Sequence, residues 1–262
     1  MASSSTFFFH PSEALVDGSS NSSYQTYVLN LNHEAPSEET PSSPKAPRDP
    51  HHLPTFDTQS IIQPTEPILY LPPLLSSLPP QHASVATPRT AYPPLATVTR
   101  LPDIDPVSLS LHKALHSFKP YDANYASKPY AEAFNWSELV LEEDEERDWY
   151  CVVFRSKRRP GSENAPLYEA DRLAHEEAVQ NGGLILYWYG IPNPETGMNL
   201  ATCIWQSRKH AIAANSRPHH IAAMKLAAAS FSTYELERYR LRKVRGESHV
   251  AIEPYIGGDV GW

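Results

Sequence analysis

Proline divides this chain. Of its 26 prolines, 18 fall before residue 107 and 8 after it, while glycine runs the other way, with Gly18 alone in the first 106 residues. Pro/Ser/Thr-rich sequence buries too little apolar surface to offset chain entropy of about 1–2 kcal/mol per ordered residue. The expected organisation is therefore a disordered Pro/Ser-rich arm over 1–105 and a folded domain over 149–262. Between them, 106–148 reads as a linker carrying a short helix and an aromatic segment that packs on the domain. One stretch of the arm, IIQPTEPILYLPPLLSSLPP, is apolar enough to suit a partner groove as a polyproline-type segment, or is simply disordered chain with scattered hydrophobes.

Net charge is −8. With no overall basic field, the sequence argues against nucleic acid as a partner. The start, MASSSTFFFHPSEALVDGSS, has no basic region before its three-residue apolar run, unlike a secretory signal. No stretch approaches the ~20 apolar residues of a membrane span. A soluble cytoplasmic or nuclear protein is expected. Cys151 and Cys203 sit among apolar neighbours and read as buried free thiols in a reducing compartment, with a single disulfide as the alternative.

From Trp149 onward the pattern sharpens. WYCVVFRSKRR is rich in β-branched and aromatic residues and reads as a strand. Leu167, Ala170, Ala174 and Ala178 recur at helical spacing, and Asn181-Gly182-Gly183 ends that helix. LILYWYG and residues 198–206 form a hairpin around Asn193, Pro194 and Gly197. Ser207 suits an N-cap, Pro218 interrupts or restarts the helix that follows, and HHIAAMKLAAASF is strongly helical. Residues 233–244 and 249–255 are expected as the last strands, although STYELERYRLRKV also carries a helical capping signal.

The resulting order, β-α-β-β-α-β with an extra C-terminal strand, is an α+β, ferredoxin-like antiparallel sheet with two helices on one face. Strand alternation puts Trp188 with Leu184 and Leu186 on one face, expected under the helices. Tyr187, Tyr189 and Trp205 then belong to the face without helices. Their cover is expected to be a second copy of the sheet, the 121–136 segment, or a ligand.

The run WYCVVFRSKRR, GGLILYWYG, NLATCIWQSRKHAIAA and YELERYRL, spanning 149–245, resembles a fungal protein family of uncharacterised function. The element order is more distantly similar to the dimeric α/β-barrel superfamily. That resemblance implies two ferredoxin-like sheets packed face to face, and a pocket between sheet and helices. It brings no catalytic residue onto this chain.

The ligand-binding candidates are Tyr187, Tyr189, Trp205, His219 and His220. Adjacent helical residues point about 100° apart, so His219 and His220 cannot chelate one metal together, and no metal site is expected. One of the pair could face the pocket as a haem ligand or general base; surface or helix-packing histidine is the alternative. No particular cofactor follows. His175, one helical turn from Asp171, could have its imidazole oriented by that carboxylate, or could simply be exposed with it. Arg155, Arg238 and Arg240 are the anion-binding candidates, with pairing to the acidic run at 142–148 as the competing use. The expected partners are thus a small apolar or aromatic ligand or a second copy through the sheet. The alternative is an interaction module whose arm supplies short motifs.

Overall fold

The computed structural model describes residues 49–52, 66–72, 104–163 and 165–261. Most of the stretch read as the arm lies outside them. Part of that stretch is built into the sheet: β1 (Ile68–Tyr70) pairs antiparallel along a later strand, with Tyr70 opposite Tyr187. The proline-based reading of 1–105 did not anticipate this strand. A three-residue strand with proline on both flanks is what a sheet edge tolerates, because one side needs no ladder hydrogen bonds.

Next come α1 (Pro106–Ala114) and the short α2 (Tyr130–Ala133). Asp105 caps α1 by accepting from the Ser108 N–H at 2.9 Å, and Pro106 takes the first helical position. The domain then runs β2 (Arg147–Arg158), α3 (Ala165–Asn181), β3 (Leu184–Tyr189), β4 (Met198–Trp205), α4 (Arg208–Asn215), α5 (Pro218–Ser230), β5 (Phe231–Lys243) and β6 (Val250–Pro254). Ser207 caps α4 and Pro218 opens α5. α5 has no capping side chain of its own; Glu177 of α3 accepts from the His220 N–H at 3.0 Å instead.

Six strands form one antiparallel sheet in the order β1-β3-β4-β2-β5-β6. Its centre, β3-β4-β2-β5 with α3 and then α4 and α5 in the crossovers, is the ferredoxin-like arrangement. The 233–244 stretch is strand: β5 pairs along the full length of β2.

The sheet separates two cores. On one side Trp149, Cys151, Val153, Leu186, Trp188, Leu200, Ile204 and Leu241 meet Leu111, Leu115, Phe118, Tyr125, Tyr130, Phe134 and Trp136. Segment 104–141 is therefore the cover of the helix-free face. Polar ties run through this apolar layer: Trp149 Nε1 donates to Ser108 Oγ at 2.8 Å, and the Tyr130 and Thr202 hydroxyls are 2.7 Å apart. Arg155 reaches the same side, bonding Glu237 and the backbone carbonyls of Ala126 and Lys128. On the other side Tyr150, Val152, Leu184, Cys203 and Trp205 meet Ala178, Ala211 and Ala214 of the helices.

The face assignment read from alternation is thus reversed. Trp188 and Leu186 pack under 104–141, whereas Tyr187 and Trp205 lie under the helices. Alternation says which residues share a face, not which face the crossover helices take, and both faces here are apolar. A second error has a local cause. The β3–β4 register shifts between Leu184 and Leu186, and that irregularity puts the two leucines on opposite faces. Cys151 and Cys203 are buried free thiols on opposite sides of the sheet.

Candidate functional site

The helix layer covers the helix side of the sheet unevenly. α4 closes over Tyr150, Leu184 and Trp205 at one end. Toward the other end lies a cross-strand row of Tyr189, Ala201, Phe154 and Leu236, one from each of β3, β4, β2 and β5. Ala201 is the small member of the row, between Tyr189 and Phe154. Solvent reaches this floor: Ala201 and Phe154 are half-buried, Leu236 is 38% exposed, and Tyr234 beside them is 42% exposed. Phe154, Tyr234 and Phe231 continue it as an aromatic ladder, with ring centroids 6.2 and 5.6 Å apart.

α3 forms the wall. Residues three and four apart share a helix face, so Tyr168, Asp171 and His175 line one stripe. Core-facing helix positions are normally apolar, whereas this stripe is polar. His175 is 5% exposed, its ring centroid 3.5 Å from that of Tyr187 and 6.0 Å from that of Tyr70. The Tyr187 hydroxyl donates to Asp171 at 3.2 and 3.4 Å. Asp171 itself keeps 35% of its side chain open to solvent, so the carboxylate stands at the mouth of the crevice.

The proton states follow from crowding. Burial pushes the Asp171 carboxyl up to about 6, against the Tyr187 hydrogen bond, which lowers it. Burial holds His175 down to about 3, with His220 adding to the effect, so the imidazole is neutral although its Nδ1 lies 3.8 Å from Asp171 Oδ2. The pair foreseen at i, i+4 is therefore not an ion pair. Burial also raises the phenols of Tyr168, Tyr187 and Tyr234 and takes the Cys203 thiol to about 12; the Asp171 charge adds to each of the four shifts. Among the described residues the buried Tyr70 hydroxyl and His175 Nδ1 find no hydrogen-bond partner.

The other candidates are dispersed. Tyr189 lies beside Tyr187 in the crevice, ring centroids 4.8 Å apart. Trp205 is enclosed under α4, its Nε1 3.0 Å from Cys203 Sγ. His219 is exposed; His220 lies between α3 and α5, its ring bonded to the backbone of Ala174. Each nitrogen of Arg155 has an internal partner. Arg240 is 3.6 Å from Asp148, and Arg238 is exposed beside Tyr150. Sequence reasoning missed Tyr168, Ala201, Tyr234 and Tyr70. The available signal was the polar Tyr168–Asp171–His175 spacing alongside the Leu167–Ala178 stripe. Among the described residues no group of His, Cys, Asp and Glu has metal-holding geometry, and no helix is long and apolar enough to cross a membrane.

Strand order, helix placement and the polar stripe define a ferredoxin-like α+β protein with an aromatic crevice between sheet and helix. The chain belongs to the PB2B2.08-like family, whose model matches residues 89–254. The UPF0643 protein PB2B2.08 of Schizosaccharomyces pombe is 35% identical to it over 154 residues, 53% of this chain and 70% of that protein. Among solved structures it is similar to Rv0793 from Mycobacterium tuberculosis, at 14% identity and a TM-score of 0.30 over 34% of this chain and 91% of that one. It is also similar to SnoaB, a cofactor-independent oxygenase from Streptomyces nogalater, at 11% identity and a TM-score of 0.32 over 38% and 99%. The fold assignment rests on the strand order of the chain itself.

Proposed function

We propose that this protein binds a small, largely apolar or aromatic ligand in the crevice between α3 and the Tyr189–Ala201–Phe154–Leu236 row. One observation carries the reading: α3 turns a polar stripe toward the sheet where solvent still reaches an aromatic floor. Rings and a single small side chain supply an apolar seat, and Asp171 with Tyr187 supplies the few converging polar groups that fix a ligand's orientation. Pairing of two copies through the helix-free face has less support, since 104–141 already fills that face.

Native mass spectrometry of the gently purified full-length chain tests the proposal. Bound small-molecule mass should accompany the wild type and be absent from Ala201→Leu, which enlarges the small member of the row, at similar melting temperatures. A folded Ala201→Leu chain with the same bound mass would place the ligand elsewhere.

A further inference from the structure

The crevice has an unusual charge balance. The groups facing Asp171 are Tyr168 and His175 from α3, Tyr187 from β3, Cys203 from β4 and Tyr234 from β5. All five are uncharged at neutral pH, because burial holds the phenols and the thiol protonated and the imidazole unprotonated. Arg158, whose charge acts on Tyr168, lies over the Phe231 ring, 5.4 Å from the centroid, and donates to the Glu163 carbonyl. Among the described residues the carboxylate stands beside aromatic rings with no cation paired to it, and the Tyr187 hydroxyl donates to it. A ligand that displaces water from this carboxylate leaves it costly unless the ligand brings an opposite charge.

We propose that the ligand is an organic ammonium ion, its charged nitrogen at Asp171 and its apolar body over Ala201 and Phe154. This rests on the crevice reading above and adds the ligand's charge to it. The phenol faces favour a cation through their ring quadrupoles, in the same sense as the carboxylate. A carboxylate or phosphate ligand would be repelled by Asp171. A neutral ligand would displace water from the carboxylate without replacing its solvation.

Three probes on one scaffold isolate the charge: 2-(1-naphthyl)ethylamine, 2-(1-naphthyl)ethanol and 1-naphthaleneacetate, titrated calorimetrically into the full-length chain at pH 7.5. The amine should bind at least about tenfold more tightly than the alcohol, and the acid most weakly. Asp171→Asn should remove the amine's advantage and keep the alcohol's affinity. Lowering the pH from 7.5 to 5 should weaken the amine alone, as Asp171 takes up a proton. Equal binding of amine and alcohol would overturn the ammonium assignment and leave the crevice reading standing. Failure of all three to bind would overturn both. The wild-type ranking needs no variant, so the test survives even if Asp171→Asn does not fold.

Discussion

The Tyr187 hydroxyl and the Asp171 carboxylate meet at 3.2 Å, a phenol from the sheet against an acid from the helix above it. The crowding that makes this pair useful also makes it costly. Asp171 is raised from 3.8 to about 6 on folding, so the folded state prefers the protonated acid. Its contribution is most favourable below pH 3.8 and is lost as the pH rises through 6. With a third of the side chain exposed, solvent screening discounts the penalty to about 1 kcal/mol above pH 7. Asp171→Asn should therefore raise the melting temperature by about 2–4 °C at pH 7.5 and by nothing at pH 4. A scan of both proteins across pH checks this.

Arg155 holds the cover on the helix-free face. Its guanidinium bonds Glu237 on β5 and the carbonyls of Ala126 and Lys128 in the covering segment. Arg155→Ala leaves two carbonyls without this donor and Glu237 with the Tyr239 hydroxyl, and should cost about 1–3 kcal/mol. Amide exchange should quicken first at 121–136. Uniform loss of protection across the sheet would show instead that segment and sheet unfold as one unit.

A histidine cluster ties the described N-terminal pieces to α1. His112 Nε2 donates to the Pro72 carbonyl at 3.1 Å, its ring 5.3 Å from that of His51 and 5.6 Å from that of His116. Burial, with smaller contributions from its two histidine neighbours, lowers His112 to about 4 against the opposing Pro72 hydrogen bond; Asp49, which raises His116, is the acid nearby. Stability from the neutral ring is fully present above pH 6.5 and is lost as the pH falls from 6.5 toward 4. Amide protection at Leu69, Tyr70 and Leu71 should drop over that window in the wild type. In His112→Asn it should be pH-independent there.

Leu186 and Ile204 are fully buried on the face under 104–141. Leu186→Asp or Ile204→Asp should each unfold the domain, since an unpaired buried charge costs several kcal/mol, comparable with a domain's whole stability. Circular dichroism reads the outcome.

Elements that carry their own local signal were legible in the sequence. Ser207, Pro218 and Gly182 mark boundaries by their backbone chemistry, and the apolar runs at 150–154 and 200–204, with β-branched residues among them, read as strands. Assigning the faces needed information that is not local. Nothing in LILYWY announces the register shift that parts Leu184 from Leu186, and nothing in it says that α3 covers Tyr187 rather than Trp188. Strand β1 was hidden because prolines on both flanks read as disorder when the partner strand is unknown. The crevice was half visible: Tyr187, Tyr189, Asp171 and His175 were each singled out, but Ala201 matters only through the neighbours that the register gives it. Gly190 is similar, since its missing Cβ is what admits the Tyr125 ring, a contact between residues 65 positions apart.

The account stands most directly on whether a ring sits over Ala201. The methyl resonance of Ala201, followed in a ¹³C-methyl-labelled full-length chain during titration with 2-(1-naphthyl)ethylamine, reports this through the ring current. The account predicts a saturable upfield shift of the Ala201 methyl, with the exposed Ile221 and Met224 methyls of α5 unmoved. Saturation at Ile221 and Met224 with Ala201 unchanged would contradict it.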